Sequence, residues 1–167
     1  MRRSIVLAVV AAALAAVAVP AFAASTVSVP PKYAGHYDQI RSKSRVAVLL
    51  PSTIKAPVSS SKVFGTIEGL AHGRYHLALG VGQDCHEATA CFIASFFAFR
   101  GQHLSLPQRV RLAHGIHGRF DRIHCGASCA PAQIEWRRRR VRYEIDYKGD
   151  KAQLVALANS AIRHGPR

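Results

Sequence analysis

The chain has 167 residues, 49% of them hydrophobic, and its 23 lysines and arginines against 9 aspartates and glutamates give a formal net charge of +14. The length excludes a large multidomain protein, and after residue 23 no segment is apolar enough to span a bilayer. The charge attracts anions over about a Debye length, so it favours an anionic partner.

Residues 1–23 have the pattern of a cleavable signal peptide. Two arginines follow the initial methionine, Ile5–Val19 is an unbroken apolar run, and Ala21-Phe22-Ala23 places small residues where a signal peptidase reads. The apolar run is too short to span a bilayer comfortably. We therefore expect an exported protein, periplasmic or secreted. Its mature charge is +12, because this segment carries two arginines and no acidic residue.

The mature chain is expected to be one α+β domain over residues 46–164, preceded by a flexible lead-in over residues 24–45. The lead-in is polar, contains Pro30-Pro31 and has no sustained hydrophobic period. A short apolar run then extends from residue 46 until Pro51 ends it. A loop rich in serine and proline follows to residue 62.

The next part of the chain has the hydrophobic alternation of strands. Apolar residues recur at every second position over residues 75–81. Residues 91–100 are almost continuously apolar, which is typical of a central strand buried on both faces. Residues 109–114 alternate again, and Gly115 and Gly118 predict a turn before the chain returns over residues 120–124.

The C-terminal third predicts a hairpin and a helix. Residues 133–136 pair with residues 141–148 across a turn of four arginines, and Asp150 is a plausible N-cap for an amphipathic helix over residues 151–163. The predicted fold is a curved antiparallel sheet of about five to seven strands with one C-terminal helix packed on it. We expect the core to include Tyr75, Leu77, Leu79, Phe92, Phe96, Trp136, Tyr143, Ile145, Leu154 and Ile162.

Four cysteines, Cys85, Cys91, Cys125 and Cys129, fall in the mature chain. An even number in an oxidising compartment indicates disulfides, and three connectivities are possible. Local pairing is the most economical of the three, so we expect Cys85–Cys91 and Cys125–Cys129. Each short loop is expected to contribute about 2–3 kcal/mol to stability.

The strongest local charge feature is the run Arg137, Arg138, Arg139 and Arg140 at the tip of the predicted hairpin. Arginine is a poor turn former, and its guanidinium suits phosphate groups. The run is therefore interpreted as an anion-binding site, with a solvated turn as the alternative. No metal site or cofactor is predicted, because the spacing of histidines and cysteines matches no strong zinc pattern.

These features favour a non-enzymatic, disulfide-stabilised binding module for an anionic or lipid-like component of the cell envelope. The alternative is a small secreted hydrolase such as a ribonuclease, which needs a base, an acid and a cation for the phosphate. His76, Glu87, His117 and Glu135 supply residues of the required types. No spacing in the sequence selects a pair among them.

The chain resembles small exported bacterial proteins of unknown function over most of residues 46–162. The resemblance is carried by the four cysteines, by Ala130-Pro131-Ala132-Gln133-Ile134 and by the pattern from Trp136 to Ile162. The strand–strand–helix ending is also similar to that of LolA/RseB-like lipoprotein-carrier half-barrels. That similarity implies a curved antiparallel sheet that cradles a helix, and it implies no catalytic residues.

Overall fold

A computed structural model describes residues 24–126 and 128–166, so the predicted signal peptide lies outside the described residues. In chain order the strands are β1 Ser25–Ser28, β2 Thr53–Ala56, β3 Val63–Ala71, β4 Arg74–Val81, β5 Phe92–Arg100, β6 Gln108–Arg111, β7 His117–Asp121, β8 His124–Cys125, β9 Cys129–Ala130, β10 Ala132–Arg138 and β11 Val141–Tyr147. The α-helices are α1 Tyr37–Ser44 and α2 Lys151–His164, and three short 3₁₀ helices are Pro30–His36, Ser60–Lys62 and Ala113–Gly115.

The main sheet has seven antiparallel strands in the order β3-β4-β5-β11-β10-β7-β6. Two small sheets pair β1 with β2 and β8 with β9. Helix α2 packs on β10 and β11 through its buried residues, which are Leu154, Leu157, Ala158, Ala161 and Ile162. The predicted α+β fold, with an antiparallel sheet and a C-terminal helix packed on it, is confirmed.

The two faces of the main sheet differ sharply in composition. The helix face carries large buried side chains, among them Leu77, Phe96 and Tyr143. The core that covers this face includes residues of β1, β2, both α-helices and residues 46–50. The open face carries the residues that alternate with these. Its central row crosses β4, β5, β11 and β10 as His76, Phe97, Glu144 and Glu135.

Helix α2 begins as the sequence predicts. The Asp150 carboxylate accepts a hydrogen bond from the Gln153 backbone N–H at 2.8 Å, and the Gln153 side chain accepts one from the Asp150 N–H at 2.9 Å. This reciprocal capping satisfies two backbone donors that a helix otherwise leaves without partners. Neither α-helix in the described part of the chain has the length and apolar character needed to cross a membrane.

Residues 24–45 differ from the flexible lead-in that the sequence predicts. They form β1, a 3₁₀ helix and α1, and their apolar side chains Val27, Tyr33 and Ile40 are fully buried. The Tyr33 hydroxyl donates to the Ala78 carbonyl oxygen at 2.6 Å. The segment is ordered by contacts with distant strands, which a search for local periodicity does not detect.

Other differences concern single elements. The sequence does not predict strand β3, because four of its nine residues are glycine or polar and they do not alternate regularly with apolar residues. Its pairing with β4 also contains a bulge between Ile67 and Gly69. All the predicted core residues are buried except Phe92, which is half-buried at the start of β5.

Candidate anion-binding site

The arginine run lies at the β10–β11 hairpin but does not form a four-residue turn. Arg137 and Arg138 belong to β10, where Arg138 pairs with Val141 and Arg137 pairs with Arg142, so only Arg139 and Arg140 make the turn. Successive strand residues point to opposite faces. Arg137 therefore lies on the open face of the sheet, and Arg138 lies on the helix face.

A cavity of about 480 Å³ lies at this end of the helix face, and we call it the arginine pocket. Its basic lining residues are Arg45, Arg100, Arg138, Arg139 and Arg140. Its remaining lining residues are Val46, Ala47, Val141, Tyr143 and Pro166. None of the described residues that line it is acidic. Three of the four predicted arginines thus share one cavity, whereas Arg137 is not part of it.

Hydrogen bonds to backbone carbonyl oxygens join the three chain segments that carry the arginines of the pocket. The Arg100 guanidinium donates to the Arg45 carbonyl oxygen at 2.6 Å, and the Gly101 N–H donates to the Arg140 carbonyl oxygen at 2.8 Å. Arg45 ends α1 in a left-handed conformation with φ 52°, and its N–H donates to the Arg41 carbonyl oxygen. The end of α1, the end of β5 and the hairpin turn are therefore held together.

Tyr143 forms part of the inner wall of the pocket. Its hydroxyl donates to the Ala47 carbonyl oxygen at 3.1 Å. Burial raises the pKa of Tyr143 to about 12, and the positive charges of Arg138, Arg100 and Arg139 act in the opposite direction. Three arginines of the pocket are thus close enough to Tyr143 to oppose the effect of burial on its pKa. A group of guanidinium ions is suited to a phosphate, sulfate or carboxylate group.

The second polar region lies on the open face beneath the loop between β4 and β5. His76 Nε2 is 2.8 Å from Glu87 Oε1, and the Ser95 hydroxyl donates to the same carboxylate. His86 and Glu87 both have left-handed backbones, with φ 39° and 60°. Such left-handed conformations persist only where the surrounding structure enforces them. Here the Cys85–Cys91 disulfide closes the loop that contains both residues.

Both predicted disulfides are present. Cys85 and Cys91 have Cα atoms 5.7 Å apart, and Cys125 and Cys129 have Cα atoms 4.0 Å apart and join β8 to β9. The first closes the loop that carries Glu87. The second closes a loop in an exposed part of the chain.

The structure brings together only two of the four candidate hydrolase residues, His76 and Glu87. His117 lies on β7, four strands away from β4 in the main sheet. Glu135 is fully buried, and its Oε1 accepts hydrogen bonds from the backbone N–H groups of Ser105 and Leu106. Its contacts give Glu135 a structural role in holding the segment between β5 and β6 over the open face.

Arg45 and Arg100 were not predicted as site residues. They are far from the hairpin in the chain, and nothing in their local sequence distinguishes them from other basic residues.

Comparison of the chain with protein-family models, curated proteins and solved structures found no match. The similarity to lipoprotein-carrier half-barrels stays a prediction.

Proposed function

We propose that this protein is a non-enzymatic binding module, exported from the cytoplasm, that binds an anionic ligand in the arginine pocket. The observation that carries the proposal is the convergence of five arginines from three segments on one cavity, with no acidic residue among the described residues that line it. The mature charge of +12 supports it, because the field of the whole molecule draws anions towards the surface. The two disulfides support an oxidising location.

The apolar walls of the pocket favour an organic anion over a free inorganic ion. Val46, Val141 and Tyr143 border the space in which the guanidinium groups meet. A ligand with a phosphate or sulfate group on an apolar or ring-containing body can bind the arginines through its charge and pack against the apolar residues through its body. Coulomb attraction and counterion release would supply most of its affinity, so binding is expected to weaken steeply with salt.

The test is replacement of Arg137, Arg138, Arg139 and Arg140 by glutamine, followed by titration with heparin, lipopolysaccharide and anionic vesicles. The variant is expected to lose most of its binding at low salt while its melting temperature stays nearly unchanged, because exposed charges contribute little to folding. The matched control removes the same charge from exposed residues outside the pocket, namely Lys43, Lys62, Arg109 and Arg163. Equal loss of binding in both variants would show that only net charge matters.

A small hydrolase is the second candidate function, and the His76–Glu87 contact favours it. A carboxylate 2.8 Å from an imidazole nitrogen can orient the ring for general acid–base catalysis. Its test is RNA and peptidoglycan turnover by the parent, by His76→Ala and by Glu87→Gln. Turnover that both variants lose would establish the enzyme, whereas a parent without turnover would reject it.

A further inference from the structure

Three aromatic rings form a stacked row on the open face of the main sheet. The ring centroids of His76 and Phe97 are 4.1 Å apart with planes inclined by 24°, and those of Phe97 and Phe99 are 5.9 Å apart with planes inclined by 14°. The Arg142 guanidinium carbon lies 4.8 Å from the Phe99 ring centroid. All three rings are half-buried rather than enclosed in the core. We call them the ring row.

The ring row ends beside a glycine. Gly69 on β3 is the cross-strand neighbour of His76, and a Cβ atom at position 69 would meet only the His76 Cβ, at an ordinary 3.7 Å. The missing side chain leaves room next to the imidazole. A cavity of about 290 Å³ occupies this region, and its lining residues are Gly69, Leu70, Arg74, Tyr75, His76, Phe97 and Phe99.

The ring row lies on the open face and the arginine pocket on the helix face, and basic residues link the two around the end of the sheet where β4 begins and β5 ends. A second cavity of about 290 Å³ shares Arg74 and Phe99 with the first, and it shares Arg100 with the arginine pocket. None of the described residues that line these two smaller cavities is acidic. Glu87 and Glu144 border the ring row without lining either cavity. The three cavities therefore follow one another around the end of the sheet, with the flat rings on the open face and most of the arginines on the helix face.

We infer that the ligand of the arginine pocket is a single-stranded nucleic acid, with one base stacked on the ring row beside Gly69 and its phosphates along Arg74, Arg100 and the pocket. This inference rests on the proposed function. Single-stranded nucleic acid is bound by basic grooves with interspersed aromatic rings, because every base has a flat π-face and every linkage a charge. Lipid headgroups and sulfated glycans carry the charge but have no aromatic ring that could stack on the ring row through its π-face.

The test compares a short fluorescent oligoadenylate with a heparin oligosaccharide, an anion without flat rings, by anisotropy at low salt. Gly69→Leu fills the space beside His76, and Phe99→Leu removes a ring while retaining an apolar side chain. Each variant is expected to weaken oligoadenylate binding by about tenfold and to leave heparin binding unchanged. Arg163→Gln, an exposed charge in α2 outside the three cavities, is the control and is expected to match the parent.

A measurement on the parent alone covers the case in which a variant does not fold. Adenosine monophosphate is expected to displace oligoadenylate at about one tenth of the concentration that ribose 5-phosphate requires, because only the former carries a ring. Equal potency of the two competitors, or equal effects of the ring variants on both probes, would overturn the inference. Loss of heparin binding in the four-arginine variant with unchanged ring variants would leave the proposed function intact and reject the nucleic acid. Unchanged binding of both probes to the four-arginine variant would instead reject the proposed function.

Discussion

Gly80 and Cys85 lie in direct contact where the first disulfide crosses the open face. A Cβ atom at position 80 would lie 2.5 Å from the Cys85 Cβ and 2.6 Å from its Sγ. Both distances are well inside van der Waals contact, and the disulfide holds Cys85 in place. Strand β4 therefore needs a glycine at this position if the loop that carries Glu87 is to lie on the sheet.

The first prediction follows from that contact. Gly80→Ala is expected to lower the free energy of unfolding by about 2 kcal/mol, because an added methyl group must displace either the strand or the disulfide loop. Urea denaturation measures the change. Gly35→Ala is the control, since a Cβ at position 35 meets no atom within 4 Å. Equal stability of the two variants would contradict the prediction.

The second prediction separates the two strand arginines of the hairpin. Arg138→Gln is expected to weaken heparin binding by about threefold and to reduce the salt dependence by about one counterion, because Arg138 lines the arginine pocket. Arg137→Gln removes the same charge from the opposite face and is expected to change little. Titrations at several salt concentrations provide the comparison. Identical effects of the two substitutions would mean that the pocket itself is not the binding site.

The third prediction concerns the buried carboxylate of Glu135. Glu135→Ala is expected to destabilise the protein by about 3 kcal/mol, since the N–H groups of Ser105 and Leu106 lose their acceptor. Glu135→Gln retains an acceptor oxygen and is expected to cost less, although Arg142 loses the charge that lies 3.5 Å away. Thermal and urea denaturation measure both variants. A glutamine variant as unstable as the alanine variant would rule out this explanation.

The fourth prediction is a pH dependence. Burial and the neighbouring Glu144 carboxylate raise the pKa of Asp146 to about 8. Between its usual value near 4 and this value, the folded state holds a proton that the unfolded state has released, so rising pH favours unfolding. The melting temperature is therefore expected to fall from pH 4 to pH 8. Asp146→Asn should make that fall smaller.

The control for this prediction is Asp38→Asn. Asp38 has a side chain 97% exposed on α1, so its substitution is expected to leave the pH profile of the parent unchanged. Differential scanning calorimetry across the pH range measures all three proteins. An Asp146→Asn profile that follows the parent over the whole range would show that Asp146 ionises normally in the folded protein.

The parts of the fold that the sequence predicts are those that local patterns determine. The strands around residues 75–81 and 141–148 alternate clearly, Asp150 sits at the start of an amphipathic stripe, and the cysteines of each disulfide are only a few residues apart. In these segments the local preference and the tertiary structure agree.

The parts of the fold that the sequence does not predict depend on contacts between residues far apart in the chain. Tyr33 is buried because Gly65 leaves space for its ring, since a Cβ at position 65 would lie 2.9 Å from the Tyr33 Cε1. The same distinction applies to the candidate site. The sequence shows Arg138 to Arg140 as a local run, whereas Arg45 and Arg100 are brought to the pocket only by the tertiary structure. The His76–Phe97 stack likewise arises from strand register.

The order of strands in the main sheet has a consequence for refolding. Strands β5 and β11 are neighbours at its centre, although β6 to β10 lie between them in the chain. The sheet thus consists of two halves, β3-β4-β5 and β11-β10-β7-β6, joined by one non-local pairing. Local hairpins form within microseconds, whereas contacts across long loops are slow because of their chain entropy. Docking of the halves is therefore expected to limit the refolding rate. Until it occurs, each half exposes a bare strand edge, and concentrated refolding mixtures are expected to aggregate through those edges.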